Sequence, residues 1–316
     1  MGRKLTLTQE YIRDFAILVL IALGIFLFIK IKAWTAETTT MKLTSSGEER
    51  SYQLYVPKSY NSKSSAPLVI NLHGYNSKPS DIIFSSRWNE LADEEGVIMA
   101  YPLGISSPTY WHTSGTAYYG RSAQMDIQFI SDLIDQIDQI EGKYNIEPTR
   151  IYVNGISMGG GMSHVLACGL ADRIAAIGGV SGAYNYPAVQ CDPSRPVPFI
   201  AFHGTEDPTI PYNGGVLQPY NITYPSIPNF INAWAEKNHC AEKIDVPQEG
   251  EISIMKYTHC ALDADVVLYT IDGGGHTWPG DQPSPTESVW GYTTQQIDAT
   301  RLMWQFFEQH PLPASE

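Results

Sequence analysis

The chain has 316 residues, 43% of them hydrophobic and 17% charged, a globular composition that excludes a disordered or fibrous chain. Its formal net charge of −13 leaves it without the basic surface that nucleic-acid phosphates require. The same acidity disfavours an anionic polymer as partner and keeps the surface soluble.

Residues 1–14 read as a cytoplasmic N-terminal segment. Residues 15–29 (FAILVLIALGIFLFI) form an unbroken apolar run, and as a helix they reach roughly 22 Å. Lys30 to Trp34, with snorkelling lysines and an interfacial Trp, extend the span to about 30 Å, one hydrocarbon core. Residues 15–34 are therefore expected to be a transmembrane anchor, with a cleaved signal segment as the alternative. Cleavage after Ala36 would put Trp34 at −3, where a small residue belongs. Arg3, Lys4 and Arg13 before the span, against Lys30 and Lys32 after it, favour an inside N-terminus and an exported catalytic domain. Residues 35–40 read as a linker that merges, within 35–50, into a first strand, and 41–316 as one α/β catalytic domain.

Along that domain, 51–57 (SYQLYVP) alternates and predicts an edge strand. Residues 66–74 (APLVINLHG) are continuous and apolar, as in a strand buried on both faces. A helix is predicted over 81–96, ending at a glycine, then a buried strand over 97–104. Ile127, Ile130, Leu133, Ile134, Ile137 and Ile140 form one stripe of an amphipathic helix. Strands follow over 150–157, 174–182, 198–207 and 264–276, and helices over 161–173, 228–238 and 294–309. Strands alternating with helices predict a mostly parallel sheet with right-handed crossovers. In such sheets, sites form at the carboxyl ends of the strands.

Four cysteines lie in the C-terminal half: Cys168, Cys191, Cys240 and Cys260. None forms a CxxC pair, so no metal site is expected. Two disulfides are expected instead, paired 168–191 and 240–260. Each would close a loop of about 20 residues worth about 3 kcal/mol in the chain-entropy model. Four reduced, buried cysteines are the alternative.

Three strand ends carry catalytic residue types. In Gly155-Ile156-Ser157-Met158-Gly159 a strand leads into a helix with small residues two positions either side of a serine. That is the pattern of a nucleophile elbow. In AFHGTEDPTIPY, Asp207 follows a buried strand and can orient a histidine, with Glu206 as the neighbouring rival. In IDGGGHTWPG, three glycines let the chain carry His276 across the strand ends. The order Ser, Asp, His is that of the α/β-hydrolases. His73 and His203, in HG turns, are expected to pack or hydrogen-bond there. The turn in NLHGYN assigns one oxyanion N–H to Tyr75, and the residue after the serine, Met158, supplies the other. Trp278, Trp111 and Tyr110 are candidate substrate-cleft residues because they lie close to these loops.

On LHGYNS, WNELADEEGVIMAYP, GISMGGGM, RPVPFIAFHGTEDPTIPY and GGGHTWPG, residues 41–310 resemble the secreted polyhydroxybutyrate depolymerase and feruloyl esterase group. The resemblance implies an α/β-hydrolase fold, the triad Ser157, Asp207 and His276, and a disulfide-bearing segment around Cys240 and Cys260. It implies a serine carboxylic-ester hydrolase with no cofactor. Its substrates would be feruloyl- or acetyl-type esters of polysaccharide, or short polyesters. The loop YWHTSGTAYYGRSAQMD departs from the group in lacking cysteines. An acyltransferase on the same scaffold and an inactive surface glycan-binding protein are the alternative readings. The expected partners are an ester substrate and, through the N-terminal helix, a membrane.

Overall fold

A computed structural model describes residues 38–105, 107–113, 122–139, 144–185, 191–217, 221–282 and 287–313. The expected anchor or signal segment lies outside these residues. Among them, no helix is long and apolar enough to cross a membrane.

The strands are β1 (Thr39–Ser45), β2 (Glu48–Tyr55), β3 (Ala66–Leu72), β4 (Ile98–Pro102), β5 (Ile146–Ile156), β6 (Ala176–Val180), β7 (Phe199–Gly204), β8 (Gly215–Leu217), β9 (Ile222–Tyr224), β10 (Glu242–Glu249), β11 (Ile252–Thr258) and β12 (Val266–Ile271). The helices are α1 (Pro79–Ser86), α2 (Trp88–Glu95), α3 (Ala123–Gln139), α4 (Met158–Gly169), α5 (Ile227–Lys237), α6 (Glu287–Trp290) and α7 (Ala299–Gln309). Ten strands form one sheet, in the order β1-β2-β4-β3-β5-β6-β7-β12-β11-β10. From β4 to β12 every pairing is parallel. Antiparallel strands extend both edges.

The central strands are buried on both faces, which is why they read as continuous apolar runs. Successive side chains alternate between two cores. Leu68, Ile70 and Leu72 face one core, with Ile127, Ile130 and Leu133 of α3. Val69 and Tyr152 face the other, with Phe307 of α7, and Tyr152 and Phe307 stack at 4.8 Å. The α3 stripe is buried as predicted through Ile137, while Ile140 lies outside the described residues.

Three elements differ from the sequence reading. The strand over 51–57 is not the edge: β1 starts at Thr39, inside the expected linker, and pairs outside β2. The hairpin joining them turns at Ser46 and Gly47, both at positive φ (52° and 80°), as a tight two-residue turn requires. The helix predicted over 81–96 is two helices broken at Arg87, which has φ 55°. There the Ser86 carbonyl accepts the Thr300 hydroxyl at 2.5 Å, tying the break to α7. The β10–β11 hairpin was not foreseen. Most of its side chains are exposed or half-buried, so it lacks a clear apolar pattern.

Both expected disulfides are formed, Cys168–Cys191 and Cys240–Cys260. They fit an oxidising compartment.

Candidate active site

Ser157 caps the N-terminus of α4 directly after β5, with φ 56° and ψ −122°. A non-glycine residue in this region is strained, and such strain persists only where the surroundings enforce it. Here they do. A Cβ on Gly155 would sit 2.6 Å from both the Gly159 carbonyl carbon and the Leu72 oxygen. A Cβ on Gly159 would collide with the Leu72 carbonyl oxygen and stand 2.7 Å from that of His73. The Ser157 backbone is fixed on both sides. Its N–H donates to Val180 at 2.9 Å, and its carbonyl accepts from Gly161 at 3.0 Å and Ala183 at 2.9 Å.

Asp207 follows β7. Its Oδ1 accepts the Thr209 and Ile210 N–H groups, each at 2.8 Å, and its Oδ2 meets His276 Nδ1 at 2.8 Å. Burial alone would raise its pKa. The His276 hydrogen bond, the charges of His276 and His203, and the Ile210 N–H outweigh that and hold it below the ordinary carboxylate value. The rival Glu206 is exposed and makes no such contact.

His276 leaves β12, three strands away from β5, and must be carried back over β7. Glycines permit this. A Cβ on Gly204 would collide with the Gly274 backbone, so the loop runs directly across the end of β7. The segment 290–292 then clamps it. Gly275 N–H donates to Tyr292 at 2.9 Å and His276 N–H to Trp290 at 2.6 Å. No hydrogen bond joins Ser157 Oγ to His276 among the described residues. In unliganded enzymes such contacts are often loose and tighten on substrate binding.

Met158 opens α4, so its N–H has no intrahelical acceptor. The Tyr75 turn stands beside it: a Cβ on Gly74 would lie 3.3 Å from Ser157 Cβ. Tyr75 is 49% exposed. His73 is buried and structural, as expected. Gly104 N–H donates to its Nε2 at 2.9 Å, leaving Nδ1 to carry the proton toward the Gly74 oxygen at 2.7 Å. Burial lowers its pKa, against the opposing Gly74 hydrogen bond and the charges of Asp81 and Asp126. His203 is also buried, and its Nε2 meets the Ile210 oxygen at 2.9 Å.

Two cleft expectations fail. Trp111 is 1% exposed; its indole N–H donates to the His73 carbonyl at 2.9 Å and its backbone N–H to Met158 Sδ at 3.3 Å. It braces the site from behind. Trp278 is 2% exposed and donates to Thr300 at 3.0 Å, inside the α7 core. Tyr110 is half-buried, edge-on to His112 at 5.0 Å. The aromatic beside His276 is Trp290, at 5.8 Å between rings and 42% exposed. Sequence proximity pointed to Trp278 instead. The signal that could have found Trp290 is the glycine run at 273–275, which admits a second backbone.

Behind Trp111 lies a buried charge cluster. Asp126 Oδ1 accepts Arg50 at 2.9 Å, and its Oδ2 meets His112 through N–H at 2.9 Å and Nδ1 at 2.7 Å. Burial pushes the Asp126 pKa up, but the His112 hydrogen bonds and the Arg50 charge bring it below the ordinary value.

Comparison with known proteins finds esterases. Residues 50–190 match the family model described as Esterase PHB depolymerase. The chain is 33% identical over 265 residues to feruloyl esterase B of Piromyces equi, covering 81% of this chain and 44% of that protein. It is 27% identical over 255 residues to the bifunctional acetylxylan esterase/xylanase XynS20E of Neocallimastix patriciarum, covering 79% and 34%. The chain thus spans less than half the length of these two relatives. The solved acetyl xylan esterase from Aspergillus awamori shares the fold, with TM-score 0.56 and 16% identity over 76% of this chain and 94% of that one. The resemblance implied by the motifs therefore holds, with residues 50–190 of the chain matching the Esterase PHB depolymerase family.

Proposed function

We propose that the chain is a serine carboxylic-ester hydrolase working through Ser157, His276 and Asp207. The observation that carries this reading is the Asp207–His276 pair at 2.8 Å, at the same sheet rim as the strained Ser157. His276 takes the Ser157 proton as Oγ attacks the ester carbonyl. Asp207, ionised and buried, fixes the imidazole with Nε2 free as base and stabilises the imidazolium. The Met158 and Tyr75 N–H groups hold the oxyanion. The alcohol leaves with the proton from His276, and water then releases the acid. Relatives named for feruloyl and acetylxylan esters support such esters as substrates.

The test is turnover of p-nitrophenyl acetate and methyl ferulate by the full chain, beside Ser157→Ala. Loss of about 10⁴-fold or more in kcat is expected. Wild-type rates in the variant would overturn the reading. Release of free acid, rather than ester transfer to added glycerol, separates hydrolase from acyltransferase.

Residues 15–34 are read as the anchor or signal of an exported domain spanning 41–316, in keeping with the two disulfides. Membrane fractionation with N-terminal sequencing of the product tests this.

A further inference from the structure

Six tryptophans lie among the described residues, and five are buried: Trp88, Trp111, Trp234, Trp278 and Trp304. Trp290 alone is exposed, and it is the one beside His276, with ring centroids 5.8 Å apart and planes inclined at 36°. Its backbone carbonyl holds the His276 N–H, so the indole and the imidazole share one frame. Val289 and Tyr292 beside it in the chain are exposed too, and a run of exposed large apolar side chains marks a contact surface.

The sheet order says which part of an ester it meets. The Tyr75 turn follows β3 and Ser157 follows β5, whereas His276 follows β12, beyond β6 and β7. The oxyanion lies on the β3 side, so the leaving oxygen lies on the β12 side. As the Oγ–acyl bond forms and the acyl–oxygen bond breaks, His276 passes the Ser157 proton to the departing alkoxide. The group on that oxygen must therefore sit against Trp290.

The charge of this wall narrows the choice. From Val266 to Trp290, through β12 and the His276 loop, the chain holds Asp272, Asp281 and Glu287 but no Lys or Arg, and 196–236 also lacks Lys and Arg. Glu206, on the loop after β7, and Asp272, on the His276 loop, are both exposed. The Glu206 N–H is bonded to Gly274 at 3.0 Å, and the Tyr292 hydroxyl to Glu251 at 3.1 Å. We propose that Trp290 is the leaving-group subsite, taking uncharged ring-bearing alcohols and rejecting anionic ones. This rests on the hydrolase reading above.

Three acetates test it on the full chain: phenyl acetate, para-acetoxybenzoate and para-acetoxyphenyl-trimethylammonium. They share one acyl group and differ in leaving-group charge. Each kcat/KM is divided by the ester's own rate with hydroxide. The neutral and cationic esters should exceed the anionic one by about fivefold at low salt, with the gap closing as salt is raised. Trp290→Ala should lower the ratio of kcat/KM for phenyl acetate over methyl acetate by about fivefold, and Trp290→Phe should restore most of it. Turnover indifferent to charge and to Trp290 would overturn the subsite alone. A wild-type chain inert to all four esters would overturn the hydrolase reading and the subsite with it. The charge series needs no variant, so it stands even if Trp290→Ala does not fold.

Discussion

His276 Nδ1 meets Asp207 Oδ2 at 2.8 Å across 69 residues of sequence, and the other Asp207 oxygen is fully occupied by two backbone N–H groups. The remaining oxygen faces the His276 imidazole and stands 3.4 Å from His203 Nε2, which is bonded to the Ile210 carbonyl. Asp207→Asn would offer an amide where an acceptor is needed and favour the wrong His276 tautomer. A fall in kcat of about 10⁴-fold is expected, with the fold retained, measured by steady-state kinetics and circular dichroism.

His203 is buried and its pKa is lowered to about 4, chiefly by burial, with His276 adding to the fall and Asp207 and the Ile210 carbonyl opposing it. His164 is lowered to about 3, again by burial first and then by Lys237. Both are neutral in the fold at neutral pH. As pH falls below the ordinary 6.5, the unfolded chain binds these protons first, so stability is lost from pH 6.5 down toward pH 4 and below. Melting temperature should drop through this window, and His203→Gln should flatten part of the drop. A melting curve flat from pH 6.5 to 4 would contradict this account.

Gly159→Ala should damage the elbow itself. The new methyl would meet backbone oxygens of Leu72 and His73, which cannot move without shifting β3. Destabilisation of about 1–3 kcal/mol is expected, together with activity loss. By contrast, Gly47→Ala meets nothing within 4 Å and strains only its own φ of 80°. Urea unfolding and ester turnover on the two variants separate the effects: only Gly159→Ala should lose activity beyond what its stability explains.

Arg50 and Asp126 are 5% and 0% exposed, an ion pair removed from water. Arg50→Met leaves the Asp126 charge with only His112 to answer it. A cost of about 3–5 kcal/mol is expected from denaturant unfolding. Because Asp126 also pins His112 beside Trp111, kcat should fall more than KM rises.

The sequence by itself pointed to the alternation of strands and helices, the parallel centre of the sheet and the glycines around Ser157, and it favoured both cysteine pairings that the structure then shows. Each of these is written locally: as apolar periodicity, as loop length, or as a side chain too small to collide. It also singled out Asp207 over Glu206, although burial is what separates them. Tertiary structure decided the rest. Trp111 and Trp278 looked like cleft residues because they neighbour site loops in the chain, yet each is buried with its indole N–H satisfied. Trp290 reaches His276 only because Gly275 lets residues 290–292 lie against the His276 loop. Beside the helix break at Arg87, the Ser86 carbonyl accepts a hydroxyl 214 residues away. Contacts of this kind join segments with no shared pattern along the chain, so only the packing of one backbone against another reveals them.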